Sequence, residues 1–386
     1  TTSFIKKGGI FQVKILQISN YLYPHIGGIE QVARDCATAL KNENIQQKIM
    51  CFNHEKGTKV DFVDEIEVIR VGCFAKIASQ SLSFAYKREL KKIISEFQPN
   101  IVIFHHPNPL VAHFLLKYRK KDKFSLILYY HLDITKQKIL GKFFIGQTKR
   151  LLAWATKIVA TSPNYISSSP FLSLFKDKCV VVPCCVNSER LHYTDKHLQI
   201  ANTIKEKYKG KTICFAFGRH VEYKGLTYLI KASKLLDDNF KVLIGGKGPL
   251  TEKLMKEAKT DPKVQFLGKI SDDELKAYML ACDIFCFPSI TKNEAFGIGL
   301  AEAMFYSKPV ITFTINGSGV NYVSINGLTG IEVENKNINA YAEAIKKLSK
   351  NKELSLLYGS NARYRVESLF TNRNFDDNID RLIKSI

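Results

Sequence analysis

Several familiar signatures are missing from this chain of 386 residues. No apolar run is long enough to cross a bilayer as a helix. No Gly-x-Gly-x-x-Gly follows the first expected strand, so the usual dinucleotide fingerprint is absent, and no Walker lysine motif occurs. No Asp-x-Asp occurs either, which removes a common metal–diphosphate anchor and leads us to expect a metal-free site with no cofactor. No Cys-x-x-Cys pair exists among the nine cysteines. Most of them, such as Cys51, Cys179, Cys214 and Cys286, lie in apolar strand-like runs, so reduced buried thiols are expected rather than disulfides or zinc ligands. Thr1 to Phe11 is polar and glycine-bearing; it reads as a tag remnant or an unordered lead, and it lacks the apolar stretch of a secretion signal. Helix-turn-helix, zinc-knuckle and RNA-binding signatures are also missing, so no nucleic-acid partner is expected despite the charge.

Acidic residues are scarce. There are 36 Asp and Glu against 57 Lys and Arg, a formal net charge of +21. The excess is uneven: residues 1–186 hold 27 basic and 13 acidic residues, or +14, and the remainder holds +7. Phosphorylated substrates and anionic lipid are natural partners for such a surface. Two clusters stand out, Lys117, Arg119, Lys120, Lys121 and Lys123, and Lys87, Arg88, Lys91 and Lys92. A third set (Lys136, Lys138, Lys142, Lys149, Arg150) flanks Leu140, Phe143, Phe144 and Ile145 as an amphipathic segment. Together they predict peripheral contact with an anionic membrane, consistent with a cytoplasmic protein on the inner face of the cytoplasmic membrane.

The remaining pattern is strand–helix alternation, twice over. Strands are expected at Val13–Ile18, 47–52, 66–71, 101–105, 125–130, 157–161 and 179–182, with helices over 29–40 and 84–97. A break at Pro183 and Asn187 precedes a second series: strands at 212–217, 241–245, 264–267, 283–287, 309–313 and 330–333, with helices between and three more after. The expected fold is α/β, two facing Rossmann-like doubly wound domains with a cleft between them: residues 1–186, 187–370, and a last helix 371–386 returning to the first domain.

Within the second series, Glu294-Ala-Phe-Gly-Ile-Gly-Leu-Ala-Glu302 follows a strand and runs into a helix. Such a helix mouth offers free N–H groups to phosphate, with a carboxylate on each side to grip hydroxyls. Gly218-Arg219 ends the first strand of this half and Lys224-Gly225 opens the next helix, which brings two cations to the same sheet edge. These elements, with Gly245 to Leu250, resemble glycosyltransferase family 4, retaining enzymes of the GT-B architecture. The resemblance runs from Ile15 to about Leu369. In the first half it rests on Gly27-Gly28-Ile29-Glu30, His105-His106-Pro107 and His131-Leu132-Asp133, which look like the bacterial mannosyltransferase-type branch of O-antigen and polysaccharide synthesis. The chain departs at Leu132, where that branch often carries serine.

The resemblance implies roles. Glu294 contacts the donor sugar, and Arg219 and Lys224 stabilise the departing diphosphate. Phe296, Gly297 and Ile298 offer backbone N–H groups, Glu302 holds the ribose hydroxyls, and Gly27, Gly28 and Gly246 allow close approach to the donor. His131 points at the sugar, while Asp133, His105 and His106 lie toward the acceptor. It also implies transfer with retention, by same-face attack, from a nucleotide-sugar to a glycan or lipid-diphosphate-linked acceptor. GDP-mannose is the first expectation and UDP-hexoses the second. A nucleic-acid-binding protein, a sugar-nucleotide epimerase or phosphorylase on the same architecture, and a silent partner subunit are the competing readings.

Overall fold

The computed structural model describes residues 12–25, 27–77, 80–119, 124–133 and 141–386. Thr1 to Phe11, Lys120, Lys121, Lys123, Lys136, Lys138 and Leu140 lie outside the described residues, as do the side chains of Lys142 and Phe143. The chain divides into two compact units. The first contains residues up to Thr161, Ile166–Val182 and Phe375–Ile386; the second contains Ser162–Tyr165 and Pro183–Asn374.

Among the described residues the first unit carries ten strands: β1 Val13–Ile18, β2 Ile45–Phe52, β3 Lys59–Val63, β4 Ile66–Val71, β5 Ala75–Ile77, β6 Gln80–Leu82, β7 Ile101–His106, β8 Ser125–Tyr130, β9 Lys157–Ala160 and β10 Cys179–Val181. Eight form one sheet in the order β10-β9-β8-β7-β1-β2-β4-β3, and β5 and β6 pair separately. All neighbours in the large sheet are parallel except β3, which runs antiparallel to β4. Its central strands are apolar runs covered on both faces, and every residue of β7 is buried. The helix Tyr86–Phe97 shows why the sequence folds this way. Tyr86, Leu90, Ile93, Ile94 and Phe97 face inward at helical spacing, while Lys87, Arg88, Lys91 and Lys92 stay exposed.

The second unit carries β11 Thr212–Phe217, β12 Phe240–Gly245, β13 Val264–Gly268, β14 Ile284–Phe287, β15 Val310–Phe313 and β16 Gly330–Val333. They form one parallel sheet in the order β13-β12-β11-β14-β15-β16. The order reverses at β11, so the loops after β11 and β14 lie side by side at the carboxyl edge, where doubly wound sheets bind ligands.

Two features escaped the sequence pattern. Strand β3 was not expected, because its large residues face the wrong way for a buried strand: Phe62 is 69% exposed and Val60 57% exposed. It is held as an edge instead, with Asp61 accepting from the Arg70 guanidinium of β4 at 2.8 Å. The β5–β6 hairpin is too short for periodicity to reveal. Among the described residues no helix is long and apolar enough to cross a membrane, and no disulfide joins the cysteines.

Candidate active site

At the carboxyl edge of the second sheet, two glycine-bearing loops lie across each other. Gly218, just past β11, donates its N–H to the Gly245 carbonyl at 3.1 Å, and His220 donates to Lys247 at 3.2 Å. Gly246 has φ of +111°, and a Cβ there would stand 2.0 Å from the Gly218 carbonyl oxygen. A Cβ at Gly248 would stand 2.5 Å from the His220 oxygen. Only glycine permits this crossing. It presents Arg219 outward: the side chain is exposed and makes no hydrogen bond or ion pair with the described residues.

Lys224 follows on a single turn, Glu222–Lys224, that ends at Gly225 with φ of +62°. A Cβ on Gly225 would meet the Pro288 carbonyl oxygen at 2.0 Å, so this turn is pressed against the strand end after β14. The Lys224 stem crosses Gly218; its Nζ would lie 3.8 Å from a Cβ built on that residue. The ammonium pairs with the Glu294 carboxylate in a mostly buried setting, and it sits 5.0 Å from the Phe287 ring. Burial pushes the neighbouring Tyr223 hydroxyl above its ordinary pKa; Glu294 adds to this, while Lys224 and Arg219 oppose it. Gly218, Arg219, Lys224, Phe287 and Ser289 line one small pocket. The structure therefore brings Arg219, Lys224 and Glu294 together across 75 residues of sequence.

Glu294 is fixed on all sides. Ser289 Oγ donates to its carboxylate at 3.1 Å, and Ser318 Oγ donates to its backbone carbonyl. Its N–H donates to the Thr291 carbonyl at 3.0 Å. After it, Gly297 turns the chain at φ of +92° into the helix Ile298–Phe305. The N–H groups of Phe296, Gly297 and Ile298 have no partner among the described residues, as expected of a helix mouth. Glu302 lies in that helix, buried. Burial raises its pKa above the ordinary carboxylate value, opposed by the Arg190 guanidinium with which it pairs. Arg190 also reaches Asp272 at 2.7 Å.

The first unit gathers a different set at the ends of β1, β7 and β8. His131 follows β8 directly, with its N–H on the His106 carbonyl at 3.1 Å. His105 stands behind it: Nδ1 is 2.9 Å from His131 Nε2, and Nε2 is 2.8 Å from Gln17 Oε1. Both imidazoles stack on Tyr129, with ring centroids 5.1 and 4.9 Å away. Burial holds His105 down to about 3 and drives His131 well below the usual histidine value. His106 stacks on Tyr130, and burial lowers it to about 3, with Asp133 opposing. Both of its ring nitrogens are buried without a hydrogen-bond partner. Asp133 is buried too, accepting from Tyr130 at 3.0 Å and Ser169 at 2.7 Å. Gly27 caps the helix Gly28–Ala39 in an ordinary extended conformation, and a Cβ on Gly28 would meet nothing within 4 Å.

Sequence reasoning did not single out Arg190, Ser289, Ser318 or Gln17. Arg190 meets Glu302 across 112 residues, a pairing no local spacing announces. Gln17 offered one signal, a polar side chain inside an apolar strand; it is wholly buried. Among the described residues no group of three or more His, Cys, Asp or Glu side chains is arranged to hold a metal ion.

Comparison with known proteins places this geometry. Residues 26–190 match the family model described as Glycosyltransferase Family 4, and residues 200–365 match Glycosyl transferases group 1. The O-antigen chain mannosyltransferase C of Escherichia coli is 30% identical over 364 residues, covering 93% of this chain and 95% of that protein. The D-rhamnosyltransferase WbpZ of Pseudomonas aeruginosa is 30% identical over 355 residues, covering 91% and 90%. Among solved structures, a sucrose-phosphate synthase from Thermosynechococcus elongatus superposes with a TM-score of 0.79 at 18% identity, covering 97% of this chain and 99% of that one. With two parallel-sheet α/β units, matching models on both halves and relatives that span nearly its whole length, the chain belongs to glycosyltransferase family 4 and is a glycosyltransferase of the GT-B fold.

Proposed function

We propose that the enzyme transfers a hexose, first of all mannose from GDP-mannose, to a lipid-linked or polysaccharide acceptor in bacterial cell-surface glycan synthesis. The observation that carries this reading is the pair of relatives at 30% identity, named for mannosyl and D-rhamnosyl transfer. Glu294 contacts the sugar hydroxyls and Glu302 the ribose, with Arg190 holding Glu302 in place. As the bond to the anomeric carbon breaks, negative charge builds on the leaving diphosphate. Arg219, Lys224 and the amides of Phe296, Gly297 and Ile298 counter it. The acceptor hydroxyl attacks from the same face, and a diphosphate oxygen takes its proton, so configuration is retained. The cations replace a metal, and turnover should persist in EDTA. Gly27 and Gly28 leave room for the donor and Gly246 lies beside it; His131 faces the sugar, with Asp133, His105 and His106 toward the acceptor.

The same reading makes the protein peripheral on the inner face of the cytoplasmic membrane. Phe74 and Phe84 stack 4.2 Å apart while 52% and 87% exposed. The exposed cations of the helix Tyr86–Phe97 begin three residues later. Such a surface suits anionic lipid.

The deciding experiment is transfer from radiolabelled GDP-mannose to a polyprenyl-diphosphate glycan, run beside UDP-hexoses and with EDTA. Product from GDP-mannose with the anomeric configuration kept is expected. Product from a UDP-hexose alone, or dependence on manganese, overturns the donor or the metal-free part.

A further inference from the structure

The relay Gln17–His105–His131 has a direction that hydrogen-bond chemistry and burial together fix. Gln17 Nε2 donates to the Ala33 carbonyl at 3.0 Å. A carbonyl only accepts, so the amide NH2 group must face Ala33 and the amide oxygen must face His105. That oxygen lies 2.8 Å from His105 Nε2, which must therefore carry the hydrogen. His105 is fully buried with no charged partner, and burial keeps it neutral. A neutral imidazole with hydrogen on Nε2 has a bare Nδ1. That bare Nδ1 lies 2.9 Å from His131 Nε2, so His131 must donate from Nε2. His131 is neutral as well, and its remaining nitrogen, Nδ1, is then a lone-pair acceptor. No described residue donates to it.

We infer that Gln17 and His105 are positioning residues that lock His131 as a hydrogen-bond acceptor, so that it recognises a hydroxyl of the transferred sugar as a donor. This rests on the reading that His131 faces the sugar. It adds a polarity that neither the family nor the placement of His131 supplies. A group at that position of the sugar that only accepts, such as fluorine, meets the lone pair of Nδ1 and is rejected. Both rings lie nearly parallel to Tyr129, at 17° and 15°, and to each other, at 15°, and turning either one over would break the hydrogen bonds of the relay.

Two measurements test this. With 15N-labelled histidine, the ring-nitrogen spectrum of the full chain at pH 7 should show His105 and His131 both protonated at Nε2 alone; single His→Gln variants assign the nine histidines. Next, wild type is compared with Gln17→Leu on the intact nucleotide-sugar and on its series of deoxyfluoro analogues. Wild type should lose about 10-fold in kcat/KM for one analogue, the worth of one hydrogen bond. Gln17→Leu, with His105 free to change tautomer, should lose about 10-fold on the intact donor and no longer discriminate hydroxyl from fluorine. Its affinity for the bare nucleotide should stay unchanged, and Gln17→Glu should not restore the discrimination, since a carboxylate favours a charged His105. Hydrogen on His131 Nδ1 in wild type, or equal discrimination in wild type and Gln17→Leu, overturns the inference. Absence of transfer from any nucleotide-sugar overturns the donor reading instead, and the nitrogen spectrum still decides the relay.

Discussion

Acid should loosen the first unit through its buried histidines. His105 and His106 are 0% and 1% exposed, and burial lowers each to about 3. On unfolding they return to an ordinary histidine value of about 6.5, so below that pH the unfolded chain binds more protons than the folded one. Their contribution to stability is whole above about pH 6.5 and is lost progressively down to about pH 3. The slope is about 1.36 kcal/mol per pH unit for each proton. Together the two cost about 3 kcal/mol at pH 5.5 and about 5–6 kcal/mol at pH 4.5, comparable with a typical total of about 5–15 kcal/mol. The only tryptophan in the chain, Trp154, lies in the first unit, its ring 5.6 Å from Phe124, so its fluorescence follows that unit during urea denaturation. The decisive variant is His106→Phe. It keeps the stack on Tyr130, 4.8 Å between centroids, and removes two nitrogens that have no partner. Stability at pH 7.5 should hold, and the slope below pH 6 should fall by about 1.36 kcal/mol per pH unit. Groups remote from His106 titrate alike in both proteins and cancel. Identical pH dependence in variant and wild type would refute the reasoning.

Other substitutions probe the second unit. Gly246→Ala drives a Cβ into the Gly218 carbonyl at a positive φ; it should cost about 1–3 kcal/mol of stability in urea and depress turnover. Arg190→Leu strips the buried Glu302 of its cation. Because Arg190 is about a third exposed, the loss should be ~1–3 kcal/mol, below that of a fully buried pair, and nucleotide affinity by calorimetry should fall. Burial raises the Glu302 pKa, so the folded state holds that proton more tightly; relative to wild type, the variant should recover stability as pH drops from 7 toward 5. Arg219→Ala should leave the unfolding free energy measured in urea within about 0.5 kcal/mol and lower kcat ~100-fold; unaltered kcat removes Arg219 from the transition state. Lys224→Met should lower kcat to a similar degree and also destabilise, since Glu294 is left buried and unpaired.

What could be read in the sequence was whatever is local. Strands such as Val13–Ile18, Ser125–Tyr130 and Thr212–Phe217 announce themselves as apolar runs bounded by turn residues, and they appear with those limits. The approach of Arg219, Lys224 and Glu294 was legible because each ends or follows a strand, and the carboxyl edge of a parallel sheet gathers such positions. Arg190 was not legible, since its partner is set by helix packing rather than by spacing. The polarity of the histidine relay was hidden for the same reason. It depends on which backbone carbonyl Gln17 meets, and Ala33 comes from a helix laid over the strand. Strand β3 was lost because an edge needs only pairing, not burial.

The crossing of the loops after β11 and β12 has one more consequence. With the Gly218 and His220 N–H groups bonded to the Gly245 and Lys247 carbonyls, lifting either loop breaks the bonds that join it to the other. Their conformational freedom is surrendered during folding, before any anion arrives. A pyrophosphate docking there needs no loop ordering, so encounter should proceed in a single kinetic phase, with release set by how firmly the anion is held.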